Sequence, residues 1–300
     1  MLVFNTNKKN GTKTSSFGSS GRVNHDSSKF YNSRLYKKTG KDKIEFKEIP
    51  MPAESLDKIF CASSEHMKEL PDNSVHLMVT SPPYNVGKDY DKDLSLEEYL
   101  SLLESVLKET YRVLVTGGRV AINVANIGRK PYIPLHVHII NIMNKLGFLM
   151  RGEIIWNKSA SAGTSFAWGS WKSAVNPVLR DVHEYILIFS KESYSRDRNE
   201  KTDTITNDEF MELTKSIWEF PSVSARKVGH PAPFPEELPR RLIQLYTLKG
   251  DIILDPFMGS GQTAIAAVKS GRHYVGYEVD KEYCELAKKR VTEVINQSKL

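Results

Sequence analysis

The chain has 300 residues, 40% of them hydrophobic and 26% charged, with a formal net charge of +6. This is the make-up of a water-soluble globular protein long enough to bury a core without staples. Its only cysteines, Cys61 and Cys284, are far apart and form no CxxC pair, which argues against a disulfide framework or a zinc site and fits a reducing, cytoplasmic compartment; the absence of a long apolar run or an apolar leader argues against a membrane span or secretion.

The charge is unevenly spread. Residues 1–43 carry ten Lys or Arg and two acids, a net +8, which leaves −2 for the rest of the chain. With their Ser, Asn, Gly and Lys content and no apolar period, they are expected to form a disordered basic arm. Ordered structure is expected from about Ile44 to Leu56 onward. Val75–Thr80 is an apolar run stopped by a Pro-Pro pair, a buried strand. Ser95, followed by Glu98 three residues later, opens a helix through Leu114 with apolar residues at helical spacing. Gly117-Gly118 is expected to turn the chain into a strand over Arg119–Val124. A helix follows over Ile133–Leu146, then strands over Phe148–Trp156 and Val182–Phe189. Residues 159–229, polar and rich in turn formers, are read as an inserted region. Helix Pro235–Leu248, strand Ile252–Asp255, helix Gln262–Ser270, strand His273–Glu278 and helix Lys281–Ile295 complete the chain. Strands alternating with helices predict an α/β fold with a mostly parallel sheet.

Asp255-Pro256-Phe257-Met258-Gly259-Ser260-Gly261 follows a strand and opens a helix. Gly259 and Gly261 permit close backbone approach to a ligand, and the free N–H groups of a helix start suit an anionic ligand group. Glu278, at the end of the next strand, is placed to accept hydrogen bonds from a ribose. The loop lacks the third glycine of a nicotinamide site. Asp255 favours a cationic cofactor, and S-adenosylmethionine carries a sulfonium and an amino group. Earlier in the chain, Ser81-Pro82-Pro83-Tyr84 forms a stiff corner. It offers a hydroxyl and fixed carbonyls as acceptors for an amino group, beside an aromatic ring that can stack.

Together, Ser81–Tyr84 and Asp255–Thr263 resemble the motifs of the amino-methyltransferase family of DNA methylases, which pair a Ser/Asp/Asn-Pro-Pro-Tyr/Phe turn with a DPFxGxGxT-type loop. Leu70–Val75, Trp156-Asn157-Lys158 and His230–Pro235 agree with flanking segments of that family. The turn precedes the loop, as in the permuted, β group. The resemblance runs from about residue 55 to 295 and implies a Rossmann-like methyltransferase fold with helices on both faces of the sheet. It divides the chain into the arm 1–43, a catalytic half 44–158, a target-recognition insertion 159–229 and a cofactor half 230–300. One departure stands out: Ala62, Ser63 and Ser64 occupy a region where relatives carry an acid.

The resemblance implies S-adenosyl-L-methionine as cofactor, no metal, and double-stranded DNA whose target base leaves the stack. Ser81 and the Pro82 carbonyl accept from the target amino group, Pro83 stiffens the corner and Tyr84 stacks. Asp255, Pro256, Phe257, Gly259, Gly261 and Glu278, with Phe234 and Pro235, hold the cofactor. Serine at position 81 implies the N4 amino group of cytosine, with adenine N6 as the alternative. An RNA or protein methyltransferase and an inactive DNA-binding module are weaker alternatives. A cognate restriction endonuclease is the implied system partner. Carbon-5 methylation would need a nucleophilic cysteine, and both cysteines are expected to be small buried hydrophobes. In the insertion and beside it, Lys158, Trp168, Trp171, Lys172 and Arg180 combine basic and aromatic character suited to DNA. His183 and Glu184, inside an apolar strand, are expected to be structural.

Overall fold

The structure, a computed structural model, describes residues 33–35, 45–84, 94–158, 169–223 and 234–297, and the fold lies within Ile44–Leu300. Almost all of the predicted basic arm, and Trp168, lie outside the described residues.

Ten strands are described: β1 (Lys58–Phe60), β2 (Val75–Thr80), β3 (Leu114–Val124), β4 (Ile127–Gly128), β5 (Tyr132–Ile133), β6 (Phe148–Asn157), β7 (His183–Lys191), β8 (Ile217–Glu219), β9 (Ile252–Asp255) and β10 (His273–Tyr277). The helices are α1 (Leu96–Val113), α2 (Leu135–Lys145), α3 (Asn207–Leu213), α4 (Glu237–Tyr246), α5 (Gln262–Lys269) and α6 (Lys281–Gln297). Eight strands form one sheet in the order β1-β10-β9-β2-β3-β7-β6-β8, and β4 pairs with β5 separately. The pairs from β1 to β3 are all parallel, β7 runs antiparallel to β3 and β6, and β8 is parallel to β6.

Strands covered on both faces need continuous apolar sequence, and β2 is buried at all six positions. One face carries the core of α1 and α2, with Met78, Leu103, Val106, Ile122 and Ile139. The other carries Leu77, Val79, Ala121, Ile186 and the apolar sides of α4, α5 and α6. The predicted layered, mostly parallel sheet is therefore present. Its centre joins the two ends of the chain: β9, from the C-terminal part, pairs with β2, from the N-terminal part. Helix α1 starts where expected: Ser95 Oγ accepts from Glu98 N–H and the Glu98 carboxylate accepts from Ser95 N–H.

The structure corrects several expectations. Gly117-Gly118 does not turn the chain but lies inside β3. At Gly117 φ is +76°, and a Cβ there would sit 2.0 Å from the Ser195 carbonyl oxygen, so glycine serves close approach rather than reversal. Region 159–229 is not a plain insertion, since β7 is an inner strand of the sheet and β8 its edge. Helix α3 was not anticipated, although Thr206 and Glu209 form a reciprocal capping box before it. Cys61 and Cys284 are bonded to each other, with Cα atoms 5.8 Å apart. Cys61 is exposed rather than buried, and the bond links the end of β1 to α6 across 223 residues of sequence, a pairing that spacing alone cannot reveal. Among the described residues no helix is long and apolar enough to cross a membrane.

Candidate active site

The functional side chains gather at the carboxyl ends of the parallel strands, where open α/β sheets place their ligands. Leu77 and Met78 of β2 pair with Ile253 and Leu254 of β9. Two segments far apart in sequence, the turn after β2 and the loop after β9, are thus side by side. Thr80 Oγ1 donates to Asp255 Oδ1 at 2.7 Å, joining the two directly. Thr80, Pro82, Pro256 and Phe257 line one cavity.

Asp255 is fully buried. Its Oδ1 also accepts from Phe257 N–H at 3.1 Å, and its Oδ2 accepts from Thr263 Oγ1 at 2.6 Å. The carboxylate therefore braces the glycine loop against the catalytic strand instead of presenting an open face to a cofactor, which corrects the expected direct contact. Burial raises its pKa to about 6.

Glu278 follows β10. Its Oε2 accepts from Gly259 N–H at 2.8 Å and its Oε1 from Asp280 N–H at 2.9 Å. Burial raises its pKa. A carboxylate accepts at about four positions, so capacity remains for hydroxyl donors. Gly261, at φ +84°, lies tight on α6: a Cβ there would meet that of Ala287 at 3.1 Å. Phe234 is partly buried against the α4–α5 side of the core, and its carbonyl accepts from Gln262 Nε2 at 3.2 Å; Pro235 follows it before α4. These residues fit a cationic nucleoside-bearing group: a partly buried acid with spare acceptor sites stands beside a helix start, and a second, fully buried acid lies behind it.

In the turn, Pro82 is buried while Ser81, Pro83 and Tyr84 are partly exposed. Ser81 Oγ lies 3.3 Å from Tyr84 Oη, and Tyr84 Oη accepts from Ala125 N–H, just past β3, at 3.2 Å. Burial, helped by the charge of Glu184, pushes the Tyr84 phenol well above its usual range, so it stays neutral. Lys158, expected as a DNA contact, is ion-paired with Glu184 and lies 5.3 Å from the centre of the Trp156 ring. Trp171, Lys172 and Arg180 are exposed, in a stretch that also exposes Val175 and Leu179. Sequence reasoning missed Asn123, a buried residue of β3 whose Nδ2 donates to Glu184 Oε2 at 2.5 Å.

A parallel sheet with a glycine loop braced to a Ser-Pro-Pro-Tyr turn defines a nucleoside-cofactor group-transfer site. The family described as DNA methylase, N6/N4 type, matches residues 75–289, and the chain belongs to it. It is 32% identical to the type II methyltransferase M.MthZI of Methanothermobacter thermautotrophicus, over 80% of this chain and 78% of that one. It is 33% identical to M.MjaI of Methanocaldococcus jannaschii, over 78% and 90% of the respective chains. Among solved structures, the DNA modification methylase TTHA0409 of Thermus thermophilus, complexed with S-adenosyl-L-methionine, superposes with a TM-score of 0.65 at 30% identity, covering 79% of this chain and 94% of that one.

Proposed function

We propose that the chain transfers a methyl group from S-adenosyl-L-methionine to the N4 amino group of cytosine in a short duplex DNA sequence, as the modification partner of a restriction endonuclease. The observation that carries this reading is the Thr80–Asp255 hydrogen bond, which holds the amine-accepting turn beside the cofactor loop. Glu278 accepts from the ribose hydroxyls, the N–H groups around Gly259 and Gly261 border the cofactor, and Phe257, Phe234 and Pro235 flank it. The target base enters from the duplex and stacks on Tyr84, and Ser81 Oγ and the Pro82 carbonyl accept from its amino group. Bound S-adenosylmethionine supplies a methyl carbon on a sulfonium sulfur: the amine nitrogen gains that methyl, the sulfur keeps the electron pair of the broken bond, and one amine proton leaves to solvent. Exposed Trp171, Lys172 and Arg180 are suited to the DNA around the base, with Trp168 assigned to the same surface from sequence. Lys158, paired with Glu184, belongs to the wall of the base pocket rather than to a phosphate contact.

Ser81 supports cytosine, because the hydroxyl is the form of this turn that the N4 branch of the family uses. Incubation with labelled cofactor and plasmid DNA, followed by digestion to nucleosides, is expected to yield N4-methylcytosine. N6-methyladenine would reassign the base and leave the rest intact; label in RNA or protein but not DNA would overturn the reading. Protection of the plasmid against a panel of endonucleases then identifies the recognised sequence.

The cofactor side has its own expected outcome. Glu278→Ala should weaken S-adenosylmethionine binding by about 10- to 100-fold, the cost of losing hydrogen bonds to a charged acceptor, as read by calorimetric titration. In the unaltered protein affinity should fall toward acid pH. Protonation removes the acceptor, and the raised pKa of Glu278 brings that loss to a higher pH than for an ordinary glutamate. Unchanged affinity in the variant would remove Glu278 from the cofactor site.

A further inference from the structure

Side chains alternate across a sheet, which fixes what surrounds Ser81. Val79 pairs with Ala121, Ala121 with Ile188, Asn123 with Ile186, Ile154 with Ile186, and Trp156 with Glu184. Val79, Ala121, Ile154, Trp156, Ile186 and Ile188 all belong to the same apolar cluster. Continuing each strand by two residues past that cluster brings Ser81, Asn123 and Glu184 onto the same face. Because Thr80 pairs with Ile122, Ser81 stands level with Asn123. A polar row therefore crosses the pocket end of the sheet from the catalytic turn to the Glu184–Lys158 pair.

Asn123 is the unusual member of that row. It is 2% exposed; its Nδ2 donates to Glu184, and its Oδ1 is buried with no hydrogen-bond partner. A buried acceptor left unpaired loses its hydration without recompense and calls for an explanation in function or bound water. The amide cannot relieve itself by flipping, because that would set its carbonyl against the Glu184 carboxylate. Fixing Nδ2 toward β7 turns Oδ1 away from β7, and Ser81 stands on the opposite side of β3.

A serine that accepts from an amine must send its own hydrogen elsewhere. Tyr84 Oη, at 3.3 Å, is a long contact and already accepts from Ala125 N–H. We propose that Asn123 is a positioning residue for methyl transfer: its Oδ1 takes the Ser81 hydroxyl hydrogen when the target base is in place, and Glu184 holds the amide in the orientation that allows it. This rests on the reading of Ser81 as an acceptor for the target amino group. With its hydrogen taken by Asn123, the Ser81 oxygen turns a lone pair to the amine.

A double-mutant cycle tests the coupling. Asn123→Ala is expected to lower the single-turnover methylation rate of plasmid DNA about tenfold while KM for DNA and the affinity for S-adenosylmethionine stay within twofold. In a Ser81→Ala background the same change should have no further effect. Additive losses, or an Asn123→Ala enzyme as fast as the unaltered one, overturn the proposal. If Asn123→Ala does not fold, shown by lost cofactor binding, the Glu184 pair decides. Glu184→Gln still accepts from Asn123 Nδ2 and should keep the rate within threefold, whereas Glu184→Ala frees the amide and should be about tenfold slower. Equal losses in the two would mean that only the charge opposite Lys158 matters, and would overturn the proposal. Failure of the unaltered enzyme and of Ser81→Ala alike to label DNA would sink the proposed function itself, a different result from a missing coupling.

Discussion

Tyr84→Ala is expected to lower kcat/KM for DNA by about 10- to 100-fold, in line with the roughly 1–3 kcal/mol of a base–aromatic stack, and to leave cofactor affinity within twofold. The separation of the two readouts follows from where the ring is anchored. Tyr84 Oη is tied to Ala125 N–H and Ser81 on the β3 side of the turn, whereas the cofactor loop is braced from the β9 side through Thr80 and Asp255. Tyr84→Phe divides the effect further. It keeps the ring and removes the hydroxyl that fixes its tilt, so a loss of about three- to tenfold is expected. Tyr84 also packs against the α1–α2 side of the core, so cofactor binding serves as the control for folding. Transfer of labelled methyl groups to plasmid DNA under single-turnover conditions reads the outcome, and a fully active Tyr84→Ala enzyme would mean that the ring does not meet the base.

The two motifs that define the site were legible because each is a local device. A Pro-Pro corner and a glycine loop need particular residues at fixed spacing, whatever surrounds them. The core strands β2 and β9 were legible for a similar reason, since burial on both faces demands unbroken apolar runs. What the sequence did not disclose depends on partners. The run from Val182 reads as a strand, but its period does not say that it lies between β3 and β6, and so the surrounding region passed for an insertion. Gly117-Gly118 reads as a turn because a glycine pair permits one; its actual use is set by the Ser195 carbonyl, far along the chain. The three residues of β1 are too short to show any period. Asn123 and Glu184 each look like an isolated polar residue in an apolar strand. Only the register of β3 on β7 makes them a pair, and only the register of β2 on β3 sets them beside Ser81.

Asp255 shows the same limit most sharply, and it carries the largest expected effect on stability. An acid at the end of a strand reads as a ligand for a cation. Yet Asp255 is fully enclosed, with Thr80, Thr263 and Phe257 N–H on its oxygens. Asp255→Ala strands those three donors together and is expected to cost about 3–5 kcal/mol, the range for breaking a buried charged network. That corresponds to a fall in Tm of roughly 6–15 °C, with cofactor binding lost as the loop detaches from the turn. Asp255→Asn should behave oppositely in stability. Its oxygen can keep Thr80 and Phe257, and its nitrogen can donate to Thr263, whose hydroxyl is free to rotate. The wild-type carboxyl has a pKa of about 6 in the fold against 3.8 as the reference. A raised carboxyl pKa means that the folded state binds the proton more tightly, so its stabilising contribution is complete below about pH 4 and is lost as pH rises through 6. Relative to Asp255→Asn, the wild type should therefore lose on the order of 3 kcal/mol between pH 4 and pH 7, which paired thermal melts across that range would detect. A flat difference would mean that Asp255 is not carried as a strained buried charge. The retention of an acid that makes the fold less stable at neutral pH is explained if its charge serves the ligand. A fixed negative group in a water-poor setting favours a nearby cation far more than one in solvent does. Asp255→Asn is accordingly expected to weaken S-adenosylmethionine binding by about tenfold while leaving the protein as stable as the wild type or more so at pH 8, the opposite sign in the two measurements marking a charge kept for function.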